Sequence, residues 1–343
     1  MASEVRRAQR TVGLLLLLLG LASPAFANVG TLLIWATIGH LLVGNAIIGA
    51  IEAWIAGRLV RGLSGPRTTL LLIAANYASL LIGLKAIPLI RSALAPIVLG
   101  DRPVYHLPWL ILAILLIAFV LTVLVEWPFF ALAAALNRKL TPPLAPRRIF
   151  GVLLVANLAS YLLLACYYAP SARVSLLTQC TRLPRPDFSK THDAVIYYRP
   201  SRESDDLYRL RLDGSAPVHL PGSWQARKAE LGAEYRHVGN DMNARAVDLR
   251  KERAPKWTDI WAGFWANEGL SAGNARTGQK LRLALEMPYF MWTTRNATVL
   301  PGNQVIYQTD RCIVLLDLDT RRLADLAMGD APLVVLEEPE SPG

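Results

Sequence analysis

Between residues 29 and 168 the chain alternates long apolar runs with short polar loops. Four runs, 29–56, 68–90, 109–136 and 149–168, are each about 20 residues or more. At ~1.5 Å per helical residue that is enough to cross a ~30 Å hydrocarbon core. The loop after the first run carries Arg58, Arg61 and Arg67, and the loop after the third carries Arg138, Lys139, Arg147 and Arg148. The intervening loop, 91–108, holds Asp101, Arg102 and His106. The positive-inside bias therefore puts the first and third loops in the cytoplasm. Residues 1–27 read as a secretory signal peptide, with Arg6, Arg7 and Arg10, a short apolar core over 12–21 and an Ala25-Phe26-Ala27 cleavage motif. Cleaved or retained, it leaves Asn28 outside. The expectation is a four-helix transmembrane domain over 28–170 in a bacterial inner membrane, with the C-terminal half periplasmic.

The polar residues inside these runs are not scattered. Ala75-Asn76-Tyr77-Ala78-Ser79 is written again as Ala156-Asn157-Leu158-Ala159-Ser160. Each copy lies nine residues after an arginine, Arg67 or Arg148, about 13–14 Å into its run. Asn and Ser three apart share a helix face. The run before each copy carries a glutamate, Glu52 or Glu126. The pattern predicts two transmembrane hairpin pseudo-repeats that bury Glu52, Asn76, Ser79, Glu126, Asn157 and Ser160 against one another at mid-depth. Asn45, seven residues before Glu52, shares its face. A carboxyl in hydrocarbon must be neutralised or hydrogen-bonded, and facing carboxamides answer that need. Such a cluster either holds helices together, at ~0.6 kcal/mol per interhelical bond, or forms a solute or proton site at the repeat interface. Gly49, Ala53 and Gly57, four apart, favour close helix packing, and Pro128 should bend the third helix beside Glu126.

Beyond residue 170 the pattern changes to short alternating stretches. Residues 193–199, 207–212, 217–220, 304–308, 312–318 and 333–336 read as strands, with turn chemistry at Asp213-Gly214. The strand–turn habit at 207–214 and 314–320 resembles single propeller blades, but two copies fall short of the four a propeller needs. The fold class expected is thus a membrane α-helical bundle with a C-terminal β-rich domain over 192–336. A Pro/Ser/Thr-rich linker over 171–191 precedes it, and a frayed tail, 337–343, follows. Trp257, Ile260, Trp261, Phe264 and Trp265 fit an amphipathic helix that could lie at the membrane interface, although 257/261/265 fits strand alternation in a β-domain core equally well. Cys180 and Cys312, both outside, are a candidate disulfide, while Cys166 sits in the fourth run.

Composition narrows the function classes. The chain has a net charge of +10 and a pI near 9.7, which by themselves suggest nucleic acid. However, the first 170 residues hold 13 Lys and Arg against four Asp and Glu, and the rest hold 23 against 22. The basic excess belongs to membrane-flanking loops, not to a nucleic-acid surface. The five histidines lack metal-ligand spacing, His106 with Asp101 being a weak pair, and no hydrolase, zincin, P-loop or dinucleotide motif occurs. No catalytic, metal or cofactor residues are expected. The partners expected are the lipid bilayer and an envelope protein or a second copy. Two roles follow: a non-enzymatic envelope-complex component presenting a binding module, or a small transporter or proton-coupled device built on the Glu/Asn cluster.

Overall fold

The computed structural model describes residues 37–343 apart from 101, 138–144, 188–192, 213–215, 237, 240–242, 251, 264–268, 288–289 and 338–343. The signal-peptide reading lies outside the described residues, as do Trp265, Phe264, Asp101 and the tail beyond Glu337.

The helical part opens with a π-helical turn, His40–Gly44, running into α1, Asn45–Leu59. Three longer helices follow: α2 (Pro66–Leu99), α3 (Pro103–Leu136) and α4 (Pro146–Tyr168). These three are long and apolar enough to cross a membrane, and each starts on a proline at its first turn, where the missing N–H is not needed. Trp54, Leu70, Leu81, Leu124 and Leu162 stand more than 60% exposed around the bundle, an apolar surface of the kind lipid covers. Gly49 sets the α1–α2 approach: a Cβ there would sit 2.6 Å from the Ile73 Cα.

Residues 91–108 are not a loop, as the sequence suggested. Helices α2 and α3 run straight through Pro88, Pro96 and Pro108, and only residues 100–102 separate them, with Gly100 at φ 52°. Each helix has 34 residues, about 51 Å, so both project well beyond a ~30 Å core. The reason is tertiary. Ile87, Val104, Leu107, Leu110 and Ile114 on the projecting part share one hydrophobic core with the β-rich region. That packing outweighs the breaks the prolines would otherwise impose.

The C-terminal region contains a one-turn helix α5 (Ser175–Thr178), then strands β1 (Thr181–Leu183), β2 (Ala194–Arg199), β3 (Asp206–Arg211) and β4 (Val218–Ser223). Helix α6 (Trp224–Glu230) precedes β5 (Asn243–Arg245), β6 (Val247–Asp248), β7 (Trp257–Gly263), β8 (Gly269–Asn274), β9 (Lys280–Leu283), β10 (Leu285–Met287) and β11 (Phe290–Trp292). The last five are β12 (Thr294–Leu300), β13 (Gln304–Thr309), β14 (Cys312–Asp317), β15 (Arg322–Met328) and β16 (Asp330–Leu336). They form a central sheet β1-β15-β14-β13-β12-β6, two four-stranded sheets, β16-β2-β3-β4 and β5-β7-β8-β9, and a β10-β11 hairpin. The last strand thus pairs with the first of the β2–β4 meander.

The central sheet is covered on both faces. Val305, Tyr307, Val314 and Leu316 face α2, α3 and the β5–β9 sheet. Ile306, Ile313 and Leu315 face the β2–β4 sheet. This explains why Cys312-Ile-Val-Leu-Leu is continuously apolar: a strand buried on both faces has no polar side to show.

Two further expectations are corrected, and one pair of alternatives is decided. The expected linker, 171–191, is not free over its described part, because Leu176 and Cys180 are buried in the shared core and β1 pairs with β15. Cys180 and Cys312 are free thiols. The register sets Thr181 opposite Arg322 and Cys312 opposite Met328, so the two lie at opposite ends of β15, about 20 Å apart along the strand, far beyond disulfide reach. Instead, Cys312 donates to Asp325 Oδ1 at 2.9 Å, and burial pushes both thiols up, Cys180 to about 12. Of the two readings of the tryptophan run, the β-domain strand is the one found over its described part, Trp257–Gly263, which is strand β7. Trp257 and Ile260 are buried while Trp261 is 40% exposed, because a bulge at Asp259 (φ 48°) shifts the alternation. Trp257 Nε1 donates to Asp319, so that indole is committed inside the domain.

Candidate functional site: a polar cluster between the long helices

The helix lengths bring the predicted residues to similar depths. Asn76 lies ten residues into α2, Glu126 ten from the end of α3, Asn157 eleven into α4 and Glu52 seven from the end of α1. Measured from the arginine-flanked end, these are about 10–16 Å. Glu52, Asn76, Glu126, Asn157 and Ser160 are buried and Ser79 is partly so.

The two Asn/Ser copies make matching bonds. Asn76 Nδ2 donates to Glu52 Oε2 at 2.6 Å and to its own-helix Leu72 carbonyl at 3.1 Å. Asn157 Nδ2 donates to Glu126 Oε2 at 2.9 Å and to the Leu153 carbonyl at 3.3 Å. Ser79 and Ser160 each donate to the carbonyl of the Asn three residues earlier, at 3.0 and 2.9 Å. Ser79 also reaches Glu126 Oε1 at 3.1 Å, and Ser160 faces Glu52. Each carboxylate is therefore held by the Asn of one helix and approached by the Ser of another. The close α1–α2 contact at Gly49 is what lets Asn76 reach Glu52.

The two glutamates differ in one respect. Both Glu126 oxygens have donors. Glu52 has Asn76 on Oε2 with Ser160 beside it, Asn157 Oδ1 is without a donor, and the two residues are 1% and 0% exposed. Both residues line a cavity of about 450 Å³, within the usual range for small-molecule sites; Glu126 does not line it. The cavity runs from this cluster between α2, α3 and α4 to Ala172 and Met287 at the β-rich end. Its walls are mostly apolar, including Ile48, Leu80, Ile114 and Leu164, with Tyr161 and Tyr168.

Asn45 does not join the carboxylates. Its Nδ2 donates to the His40 carbonyl at 2.9 Å, bracing the π-helical turn, and His40 Nδ1 meets the Tyr168 hydroxyl at 2.8 Å. Sequence reading did not anticipate this pair, nor Thr122 with Tyr161 at 3.0 Å; the π-helical turn leaves no periodic signal strong enough to announce it. His106 stacks edge-on against Tyr105. Trp257 and Trp261 are far down the chain in the β5–β9 sheet and do not line the cavity.

Two further polar centres were missed. Asp325, on β15, accepts the backbone N–H groups of Val104 and Tyr105 at 3.1 and 3.0 Å, capping α3 from the sheet. Burial pushes its carboxyl up, with the Cys312 and backbone bonds opposing. Asp330 takes Arg199 Nε and Nη2 on one oxygen (2.9 and 2.7 Å) and Arg295 Nη2 and Gln308 Nε2 on the other (2.6 and 2.8 Å).

Comparison with known protein families, curated proteins and solved structures finds no match.

Proposed function

We propose that this chain is a proton-coupled device of the bacterial inner membrane, in which Glu52 exchanges a proton for a small solute reached from a periplasmic β-rich domain. In this reading α1 is the fourth spanning helix, and α1–α2 and α3–α4 are two hairpin pseudo-repeats. One observation carries the proposal: Glu52 and Asn157, both buried between the helices, border a mostly apolar cavity of about 450 Å³ that continues to the β-rich end. Glu126, with both oxygens bonded, orients Asn157 and Ser79.

Two measurements test this. Infrared titration of the carboxyl stretch in the purified full chain should show a cavity carboxyl that changes protonation with pH and disappears in Glu52→Gln. A cysteine at Leu164, in a Cys166→Ala background, should react with a membrane-impermeant maleimide from the β-domain side alone. A signal unchanged in Glu52→Gln, or labelling from the arginine-loop side, refutes the reading.

A second reading, an envelope-complex component presenting a binding module, is favoured by β4. It is the edge of its sheet, mostly exposed, with Val218 55% exposed, and an open edge can accept a partner strand. The partner would be an envelope protein or a second copy. A Leu220→Pro variant that loses cross-linked complexes while keeping the Glu52 signal would support it; complexes unaffected by that variant would remove it.

A further inference from the structure

The outer face of the β5–β9 sheet carries a group of side chains that neither the fold nor the helical cavity uses. Ile260, Ala262, Leu270, Leu281 and Leu283 turn inward into the shared core, so the residues alternating with them point outward. The register sets four of these side by side: Arg245 opposite Trp261, Trp261 opposite Ser271, and Ser271 opposite Arg282. The neighbouring outward row is Thr258, Gly273 and Lys280. Trp261 is 40% exposed, and Arg245, Lys280 and Arg282 are exposed as well. We propose that this face binds an acidic glycan, with a sugar ring stacked on Trp261 and carboxylates paired with Arg245 and Arg282.

A tryptophan on an open sheet face is ordinarily packed by large cross-strand neighbours. Here its neighbours on β8 are Ser271 and, one row on, Gly273, both partly exposed. A Cβ at Gly273 would meet nothing closer than 3.6 Å, so close packing is not what keeps a side chain away; its absence leaves a shallow step beside the indole, where a ligand can approach the strand. The negative face of an indole attracts weakly positive C–H groups, which one face of a pyranose ring presents. Charge supplies the rest. The four strands contribute three exposed basic residues and one exposed acid, Asp259, in a region that is nearly neutral as a whole. Lys280 and Arg282 form no ion pair among the described residues. Arg245 lies near Asp248, but Arg250 already holds both oxygens of that carboxylate, at 2.8 and 2.6 Å. Arg245 and Arg282 stand three strands apart, about 14 Å. A small anion meets one of them at a time, whereas an extended chain laid across the strands meets both with Trp261 between. A bilayer fits this face less well: insertion needs a stripe of apolar residues, and among the described residues Trp261 is the one large apolar side chain it exposes. The choice of a glycan over a single-stranded nucleic acid, which also stacks on aromatic rings beside basic groups, rests on the reading that the β-rich region is periplasmic.

The test is calorimetric titration of the full chain, in phosphatidylcholine nanodiscs, with polygalacturonate oligomers. Dextran keeps the sugar rings without carboxylates, and polyglutamate keeps the carboxylates without rings. Saturable polygalacturonate binding is expected, weakening as salt is added, with dextran and polyglutamate each at least ten-fold weaker. Trp261→Ala should weaken the glycan at least ten-fold, and Arg245→Gln and Arg282→Gln at least three-fold each. Gly273→Leu covers the step beside the indole and should also weaken it at least ten-fold. Because its Cβ meets open space, that variant should unfold at the wild-type temperature, which separates lost binding from lost structure. No saturable polygalacturonate binding, equal binding of polyglutamate, or unchanged affinity in Trp261→Ala overturns the assignment. Oligodeoxythymidylate or phosphatidylglycerol vesicles bound more tightly than the glycan overturn it too, in favour of a nucleic-acid or a lipid surface. The Glu52 infrared signal is independent of all these outcomes, so the two readings fail separately.

Discussion

Two buried polar networks lie in this chain, one between the long helices and one in the β-rich region, and they differ in what they leave open. Asp330 takes two donors on each carboxylate oxygen. Gln308 Oε1 accepts from Asn296 Nδ2 and the Ala331 N–H, and the Arg199 guanidinium stacks 4.6 Å over Trp224. Arg295 Nε is its one unpartnered atom, and the acceptors are all met. The helical cluster instead borders a cavity, which Glu52 and Asn157 line. A closed network ties β16 back onto β2 and fixes the fold. By contrast, an open one leaves room for something the protein does not supply.

The comparison can be broken most directly at Asp330. Asp330→Ala strands the buried Arg199 guanidinium and the partly buried Arg295, and removing one partner of a buried pair costs about 3–5 kcal/mol. Thermal unfolding of the full chain should register that loss; a shift no larger than an exposed Arg202→Ala control would show that the network is not structural. Gly49→Leu should cost about 1–3 kcal/mol by overpacking, because its Cβ meets the Ile73 backbone. It should also release Asn76 from Glu52, read as a shifted Glu52 carboxyl band. Asp325→Ala removes the cap shared by two α3 N–H groups, worth about 0.5–2 kcal/mol. Faster hydrogen exchange should appear at the start of α3, leaving the mid-helix cluster untouched. Glu52→Gln should change stability by less than about 1 kcal/mol, since an interhelical bond averages ~0.6 kcal/mol, while removing the exchange signal. A large loss of stability instead would make Glu52 part of the packing, like Asp330.

The smallest effect concerns pH. Burial pushes the Asp319 carboxyl up, but bonds from Lys256, Trp257 and Asn303 outweigh it and hold it at about 2. A carboxyl held below its ordinary value stabilises the fold above about pH 4 and loses that contribution as pH falls toward 2. Asp319→Asn should flatten this acid limb of the stability curve and leave neutral pH little changed.

Much of the helical site could be read from the chain because its signals are local. The spacing from Arg67 to Asn76 and from Arg148 to Asn157 sets depth through the fixed helical rise, and Asn with Ser three apart sets the face. The sequence could not say which glutamate faces open space. That depends on how four helices leave a gap, and it reversed the emphasis from Glu126 to Glu52. The Asp330 network was invisible for a different reason. Arg199, Arg295, Gln308 and Asp330 are gathered only when β16 pairs with β2 and lies against the central sheet, and no window of sequence contains them.

The amino-acid sequence alone determined the apolar runs, their basic flanks, the depth of the buried carboxyls and carboxamides, and the change to strands beyond residue 170. These follow from periodicity and composition within each segment. Tertiary structure decided that α2 and α3 continue past their prolines into the β-rich core, that Cys180 and Cys312 lie too far apart to bond, and that Trp257 turns inward. It also set Glu52 and Asn157, rather than Glu126, on the lining of the cavity. Those outcomes belong to contacts between segments distant along the chain, where packing outweighs local preference.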